Sequence, residues 1–355
     1  MIFQQFRHEH GGCLSYLIGC TQREVCAVID AQSDPNLYLD YAAAHHLRIT
    51  HIFETHSQAD HLSGSRRLSE LTGAPVFFHE SVRAGFPVKG LNDGQEITLG
   101  NIILKILHTP GHTSDSISIL VSDSVRTREP WMVFTGDTLF VGDTGRPDLD
   151  GDAGLLHDSI WKKLLVLHDA VEIYPTHYAG STCGKMMSPK PSSTIGFERR
   201  FNPALRFVTK DEFVRFVEAD LPVQPPRFQL VRRYNLGFLE EPPIDRMYER
   251  DDLELTPREL QAKMARGEPI LLLDVREKYE RELATIGGAF IPLGQLPKRC
   301  GELEAEKEIV VYCHHGIRSR QAVEFLYENG FSSVKTLKGG ITAWSMEVDP
   351  TVPRY

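Results

Sequence analysis

The sequence predicts a two-domain protein, an α+β layered sandwich followed by a small α/β domain with a parallel sheet. A chain of 355 residues is long for a single hydrophobic core. Short apolar, β-branched runs still occur late in the first part of the chain, which favours a layered sandwich over one series of β–α units. The last part alternates strand, helix and strand, the order from which small parallel sheets are built.

The strands expected in the first part are short runs rich in valine, isoleucine and phenylalanine. They lie at residues 25–29, 49–53, 76–78, 102–107, 117–121, 132–134 and 171–174. Helical patterns at residues 62–71 and 160–167 interrupt them.

A proline-rich stretch separates the two parts and is the best candidate for a linker. It contains Pro222, Pro225, Pro226, Pro242 and Pro243 and ends in the charged segment 246–252. We therefore expect a first domain over residues 1–240, a linker over 241–252 and a second domain over 253–355.

The second domain opens with a helix that has clear start and stop signals. Thr256 is expected as the N-cap, Pro257 as the first helical residue, and Gly267 as the stop. The elements expected after it are strands at 270–274 and 308–312 and a helix at 320–329.

Composition narrows the classes of function. The net charge of -9 argues against a general nucleic-acid-binding protein. No apolar run approaches the ~18 residues of a membrane-spanning helix, and the first residues lack the apolar segment of a signal peptide, so we expect no membrane association and no export. The 6 cysteines form no C-x-x-C pair, which favours reduced thiols and a cytoplasmic location.

Metal-binding side chains follow several of the expected strands. The segment Thr55-His-Ser-Gln-Ala-Asp-His61 begins where the strand at 49–53 ends, and similar strand–loop junctions carry a histidine or an aspartate in the segments TPGHT, TGDTLF and YPTH. A loop that begins at the fixed end of a strand can turn its side chains inward toward a common point. The residues selected in this way are His56, Asp60, His61, His112, Asp137 and His177.

These segments resemble the glyoxalase II branch of the metallo-β-lactamase superfamily, whose fold is an αββα sandwich. The resemblance implies a first metal site at His56, His112 and Asp137, with Gln58 in place of a further histidine. It implies a second site at Asp60, His61, Asp137 and His177. Two imidazoles and one carboxylate with open positions are typical of non-heme Fe(II) oxygenases.

The segment Gly145-Arg146-Pro147-Asp148 follows Asp137 in the sequence. Together with this segment, the first site resembles that of the persulfide dioxygenases. The resemblance implies one Fe(II) per chain and oxidation of glutathione persulfide by O2 to sulfite and glutathione. Glutathione carries two carboxylates, so its pocket is expected to contain cations. Arg146 is the favoured candidate, Lys185 could also reach, and Tyr174 is a candidate for the pocket wall.

The second domain carries a candidate nucleophile, Cys313, in the loop between the strand at 308–312 and the next helix. Loop N–H groups, the helix N-terminus and Arg318 would all stabilise its thiolate. The spacing Cys313-x4-Arg318, with Gly316 between, resembles the rhodanese family, which implies a small α/β domain with a parallel sheet and a cysteine persulfide formed from donors such as thiosulfate.

Both resemblances concern sulfane sulfur, and the sequence therefore predicts a persulfide dioxygenase joined to a thiosulfate sulfurtransferase that acts on small molecules. Two alternatives stay open: a two-zinc, glyoxalase II-like glutathione thioester hydrolase with an appended rhodanese domain, and a non-catalytic sulfur carrier or sensor. The direction of sulfur flux, channelling between the sites and assembly into a homodimer also stay open.

Overall fold

The computed structural model describes residues 1–8, 12–179, 181, 183–219, 221, 228–240, 253–304 and 307–355. These residues fall into two compact units, one before and one after the segment predicted as a linker. That segment, residues 241–252, and the three prolines at 222, 225 and 226 lie outside the described residues.

The first unit begins with a six-stranded sheet in which the strands neighbour one another in chain order. Its strands are β1 (Ile2–His8), β2 (Cys13–Cys20), β3 (Val25–Ile29), β4 (Arg48–Phe53), β5 (Val76–His79) and β6 (Val88–Leu91). Two helices interrupt them, α1 (Asn36–Ala44) and α2 (Ser65–Thr72).

A second six-stranded sheet follows, in the order β12-β11-β10-β9-β8-β7. Its strands are β7 (Glu96–Leu99), β8 (Ile102–His108), β9 (Ile117–Asp123), β10 (Thr127–Gly136), β11 (Glu172–Pro175) and β12 (Ser193–Thr194). The helices of this half are α3 (Ala153–Ser159), which continues into a π-helical turn (Ile160–Leu164), α4 (Ile195–Phe201), α5 (Lys210–Glu218) and α6 (Phe228–Asn235), with a 3-10 turn at Pro203–Arg206.

Alternation along the strands places one apolar layer between the two sheets and one on each outer face. In β10, Met132 and Phe134 belong to the inner layer, whereas Val133 faces the outer layer with α3 and α5. On the other side, Tyr38 of α1 and Leu68 of α2 cover the outer face of the first sheet. The predicted αββα sandwich is therefore confirmed.

The second unit contains one five-stranded sheet in the order β13-β17-β16-β14-β15, and every strand pair in it is parallel. Its strands are β13 (Glu254–Leu255), β14 (Ile270–Asp274), β15 (Ala289–Phe290), β16 (Glu308–Tyr312) and β17 (Val334–Leu337). Its helices are α7 (Pro257–Ala265), α8 (Lys278–Leu283), α9 (Leu296–Arg299), α10 (Ile317–Glu328) and α11 (Gly340–Glu347), with 3-10 turns at Leu293–Gln295 and Cys300–Glu302.

Helices cover both faces of this sheet, as expected when parallel strands are joined by helical crossovers. Ile309 and Val311 of β16 pack on the α10 side, and Val310 and Tyr312 pack on the side of α7 and α11. The capping box predicted at Thr256 is present, because its hydroxyl accepts from the N–H of Glu259 and the Glu259 carboxylate accepts from the N–H of Thr256. The parallel α/β class predicted for this domain is confirmed.

No helix in the described part of the chain combines the length and apolar character needed to cross a membrane.

Candidate metal centre and cysteine loop

The topology of the first unit brings three of the predicted loops to one edge. Strands β8, β10 and β11 run in the same direction, since β9 is antiparallel to both of its neighbours and β10 pairs with β11 in parallel. The loops after these strands carry His112, Asp137 and His177. The loop after β4 joins them through a hydrogen bond from the N–H of Ile117 to the carbonyl of Thr55, which places His56 at the same edge.

His56, His112 and Asp137 form a buried cluster of potential metal ligands. The Nε2 atoms of His56 and His112 lie 3.8 and 3.4 Å from Oδ2 of Asp137. Ligands bound at about 2.1 Å to one metal ion stand about 3 Å apart, so a small contraction would close this set around an ion.

The surroundings of both histidines leave Nε2 free to bind a metal. Nδ1 of His112 donates to the carbonyl of Arg146 at 2.7 Å. Nδ1 of His56 lies 3.0 Å from the hydroxyl of Thr55, which itself donates to Asp30 and so can accept from the imidazole. Such partners fix the ring and its tautomer, as around most histidine-bound metals.

The charges within this cluster also fit a cation. Burial lowers the pKa of His56 to about 4, so the ring is neutral and can act as a ligand. Burial alone would raise the pKa of Asp137, but the charge of His177 and its hydrogen bond lower it instead. The lone pair on Nε2 of His56 therefore faces a buried carboxylate, an arrangement that a divalent ion would stabilise.

Gln58 does not supply a ligand to this cluster. Its Nε2 lies 3.2 Å from Oδ1 of Asp30 and 3.4 Å from Nδ1 of His56, on the side of the ring away from Asp137. Gln58 therefore lies behind a potential ligand, and the donor set remains two imidazoles and one carboxylate.

A second cluster adjoins the first and contains a residue that the sequence analysis did not select. Cys13, Asp60, His61 and His177 all place ligand atoms within 4.8 Å of one another. His177 also donates from Nδ1 to Asp137 at 2.7 Å, which connects the two clusters. Burial would raise the pKa of Cys13, but His61 and His177 lower it.

A small cavity opens over the first cluster. Its lining comprises His56, Ser57, Ala59, Asp60, His112, Thr113, Leu149, Asp150, Cys183, Phe228 and Arg232. Phe228 and Arg232 belong to α6, which the sequence analysis missed because no motif marks this short helix beside the proline-rich stretch. The guanidinium of Arg232 pairs with Asp150 at 2.7 Å, and no described atom accepts from its buried Nε.

The sequence favoured Arg146 as a residue that contacts glutathione. In the structure Arg146 lies close to the metal cluster but is not exposed to the cavity. Its side chain is 1% exposed and donates two hydrogen bonds of 2.7 Å to the carboxylate of Asp148. Its carbonyl orients His112, and a Cβ on the preceding Gly145 would meet the carbonyl of Asp137. These contacts make this segment a support for two potential metal ligands.

Tyr174 and Lys185 are not among the residues that line the cavity. Tyr174 packs 4.8 Å from the ring of Phe3 in the core between the sheets, and its hydroxyl donates to Glu172. Lys185 directs its ammonium group to the carbonyls of Phe216 and Ala219 at the C-terminal end of α5. These contacts do not support the pocket roles expected from the sequence, because each polar group is satisfied elsewhere.

In the second unit, the structure places Cys313 directly after β16, at the N-terminus of α10. The side chain is 1% exposed, and the N–H of Gly316 points at its sulfur atom from 3.1 Å. Gly316 makes the turn with a φ of 100°, which favours glycine. An N–H group and a helix N-terminus directed at sulfur stabilise a thiolate or a persulfide anion.

Arg318 lies on the first turn of α10, and its guanidinium donates two hydrogen bonds of 2.6 Å to the carboxylate of Glu280. Burial would lower the pKa of Arg318, but the bonds to Glu280 and the charge of Cys313 raise it. Tyr355 also reaches this loop, because its ring stacks on His314 at 4.2 Å and its hydroxyl accepts from Arg276.

Comparison with known proteins identifies both units. The family model of the metallo-beta-lactamase superfamily matches residues 9–177, and that of the rhodanese-like domain matches residues 256–347. The persulfide dioxygenase ETHE1 of Bos taurus mitochondria is 30% identical over 222 residues, which cover 58% of this chain and 75% of that protein.

Two crystal structures show the same architecture. A metallo-beta-lactamase from Staphylococcus aureus subsp. aureus COL is 29% identical with a TM-score of 0.64, and the match covers 95% of this chain and 99% of that one. ETHE1 from Myxococcus xanthus is 31% identical with a TM-score of 0.58, and the match covers 66% of this chain and all of that one.

This chain therefore belongs to the metallo-beta-lactamase superfamily and carries a C-terminal rhodanese domain. Within that superfamily it is a homologue of the persulfide dioxygenase ETHE1.

Proposed function

We propose that this protein is an Fe(II)-dependent persulfide dioxygenase joined to a rhodanese-type sulfurtransferase. The observation that carries the proposal is the buried donor set of His56, His112 and Asp137, from which the side chain of Gln58 turns away. Two imidazoles and one carboxylate leave positions open, and non-heme iron in such a site supplies O2 activation.

In the proposed oxidation, glutathione persulfide, O2 and water yield glutathione, sulfite and two protons. The outer sulfur loses four electrons, and the two oxygen atoms of O2 gain them. The chain's own residues would bind and orient the substrate: His56, His112 and Asp137 hold the metal, and Arg232 supplies a cation beside the cavity for a carboxylate.

In the proposed sulfur transfer, the thiolate of Cys313 attacks the outer sulfur of thiosulfate, the S–S bond breaks, and sulfite leaves. Glutathione then removes the sulfur from the cysteine persulfide as glutathione persulfide. The N–H of Gly316 and the N-terminus of α10 would stabilise sulfur anions at both stages, and Arg318 would attract the dianion.

Metal analysis of protein purified without oxygen tests the first activity. We expect one iron per chain and O2 uptake that depends on added glutathione persulfide. His112→Ala should abolish both, because it removes one of three ligands, while thiosulfate sulfurtransfer continues and reports an intact second unit. Iron-free protein that consumes no O2 with this substrate would overturn the proposal.

A two-zinc thioester hydrolase is a second candidate, and the cluster around Asp60, His61 and His177 is the observation that favours it. Two zinc ions per chain, with hydrolysis of glutathione thioesters and no O2 uptake, would establish this alternative. In the dioxygenase, hydrolysis of such thioesters should stay at the background rate whatever the zinc content.

A further inference from the structure

We propose that Asn235 is a positioning residue that joins two walls of the cavity over the metal cluster and so holds Arg232 in place for the substrate. One wall is the loop after β4, which contributes Ala59 and Asp60. The other wall is α6, which contributes Phe228 and Arg232. This role rests on the proposed function, because it concerns how a glutathione derivative would be held at the cavity.

Asn235 is the last residue of α6, and its side-chain amide makes three hydrogen bonds to the backbone of the loop after β4. Its Oδ1 accepts from the N–H of Ser63 at 2.9 Å. Its Nδ2 donates to the carbonyls of Gln58 and His61 at 3.1 and 2.8 Å. Among the described residues, no other group donates to a carbonyl of residues 58–61, so the carbonyls of this segment depend on α6.

The three contacts require an amide side chain of this length. Asn235 is 8% exposed, so its polar atoms have little access to water. An amide offers one carbonyl oxygen and two N–H donors, and each of the three is used here. A carboxylate would place an oxygen against the two loop carbonyls, and an apolar side chain would leave buried backbone groups unpaired, which is costly.

The helical repeat carries this anchorage to the residues that face the cavity. Phe228, Arg232 and Asn235 stand at positions i, i+4 and i+7 of α6, so they share one face of the helix. Arg232 pairs with Asp150, which also lines the cavity, and its buried Nε has no accepting partner among the described atoms. Because the helix is tied down less than one turn away, this guanidinium is held where it can donate to a substrate carboxylate.

The end of α6 also docks on the segment between β5 and β6. The N–H of Gly85 donates to the carbonyl of Leu236 at 2.7 Å. A Cβ on Gly85 would lie 2.3 Å from the carbonyl oxygen of Gly237, so a larger residue there must push the two segments apart. Gly85→Ala therefore displaces α6 by a second route that leaves the side chain of Asn235 intact.

Binding of S-methylglutathione tests the proposal without turnover. This thioether keeps both glutathione carboxylates and has no reactive sulfur, and calorimetry on the full chain gives its dissociation constant. Asn235→Ala should raise the dissociation constant about tenfold, the loss expected for one charged hydrogen bond. Arg233→Ala is the matched control and should leave the constant unchanged, because Arg233 lies on the same helix but is exposed.

A double substitution separates positioning from an independent effect. Asn235→Ala should add little to the effect of Arg232→Ala, because the guanidinium that Asn235 positions is already gone. Gly85→Ala should also raise the dissociation constant, and it should likewise add little once Arg232 is replaced. Effects of Asn235→Ala and Arg232→Ala that multiply in the double variant would overturn the positioning role.

Turnover provides a second readout. None of the three hydrogen bonds of the Asn235 side chain goes to His56, His112 or Asp137. Asn235→Ala should therefore raise KM for glutathione persulfide with little change in kcat. A lower kcat with an unchanged KM would contradict the proposal, because general damage to the fold reduces the amount of active protein rather than its affinity.

Amide hydrogen exchange reports the contact itself. The N–H of Ser63 should exchange faster in Asn235→Ala than in Arg233→Ala, because only the first variant removes its acceptor. Equal exchange in the two variants would overturn the proposal, as would unchanged binding of S-methylglutathione in Asn235→Ala, and neither result would affect the proposed function. A protein that binds the analogue but consumes no O2 would contradict only the dioxygenase, whereas a protein that does not bind it would overturn both.

Discussion

Arg146 and Arg232 lie near the same metal cluster, but their surroundings separate their expected roles. Arg146 is buried against Asp148, and its segment supports His112 and Asp137. Arg232 borders the cavity with an unpartnered Nε among the described atoms. The sequence favoured Arg146 because it lies in a motif, and a motif does not reveal whether a cation faces a cavity or an internal carboxylate.

Substitution of each arginine should therefore affect a different measurement. Arg146→Ala should lower the free energy of unfolding by about 2 kcal/mol, because it removes a charged, hydrogen-bonded pair. Arg232→Ala should instead raise KM for glutathione persulfide about tenfold or more, with little change in unfolding. Chemical denaturation and O2-uptake kinetics on both variants check this, and exchanged effects would contradict it.

Glu54 is a buried acid beside the metal loop and should make stability depend on pH. Its Oε1 accepts from the hydroxyls of Ser63 and Ser65, and burial raises its pKa from 4.5 to about 8. The folded state then keeps a proton that the unfolded chain loses above pH ~4.5. This contribution to stability is therefore fully present below that pH and declines as the pH rises toward 8.

Glu54→Gln tests this dependence because glutamine imitates the protonated acid. Between pH 5 and 8 the variant should lose less stability than the natural protein. Denaturation midpoints measured across that range provide the comparison. Parallel pH profiles for the two proteins would show that Glu54 ionises normally in the folded state.

Among residues of the candidate sites, the sequence could identify those in strand–loop motifs. The structure brings His56, His112 and Asp137 together, and it places Cys313 against a loop N–H group as the motif implied. Cys13 carried no such signal, because it starts a strand far from the other ligands in sequence and only sheet order brings it near them.

At the level of elements, the turn before α11 shapes the cysteine loop of the second unit. Gly340 has a φ of 62°, and a Cβ there would lie 2.5 Å from the carbonyl oxygen of Cys313 and would also meet that of His314. The close approach allows the N–H of Ile341 to donate to the carbonyl of Cys313 at 2.9 Å. The segment after β17 therefore supports the loop that presents the sulfur.

Gly340→Ala should lower the sulfurtransfer rate by more than the backbone strain of a positive φ would by itself. Gly267→Ala is the matched control, since its φ is 69° and nothing lies within 4 Å of the added Cβ. Both variants should lose about 1–3 kcal/mol for the strained backbone, but only Gly340→Ala should displace the loop. Equal sulfurtransfer in the two variants would show that this approach does not position Cys313.

The elements that the sequence located best have strong periodicity or clear caps. β3 has the bounds expected from its apolar run, and α7 starts at the predicted cap. β2 was missed because all eight of its residues are buried, so it lacks the alternation of a half-exposed strand. The helix expected at 160–167 is instead a π-helical turn at Ile160–Leu164 that continues α3.

At the level of the whole molecule, each unit has its own core. The sandwich has three apolar layers around its two sheets, and the parallel sheet of the second unit has a layer on each face. Neither candidate site borrows a residue from the other unit among those described. The two proposed activities should therefore be separable by single substitutions.

Cys313→Ser provides this separation. It should abolish thiosulfate sulfurtransfer, because a hydroxyl is a far poorer nucleophile than a thiolate at neutral pH and cannot hold a persulfide. Oxidation of supplied glutathione persulfide should continue at the unsubstituted rate, whereas oxidation that starts from thiosulfate and glutathione should stop, since no persulfide is made. The natural protein treated with thiosulfate should gain the mass of one sulfur atom at Cys313, reversibly with a reducing thiol. Full sulfurtransfer by Cys313→Ser would show that the second unit does not catalyse the proposed sulfur transfer through this cysteine. Loss of the oxidation of supplied persulfide would show that the two sites act together.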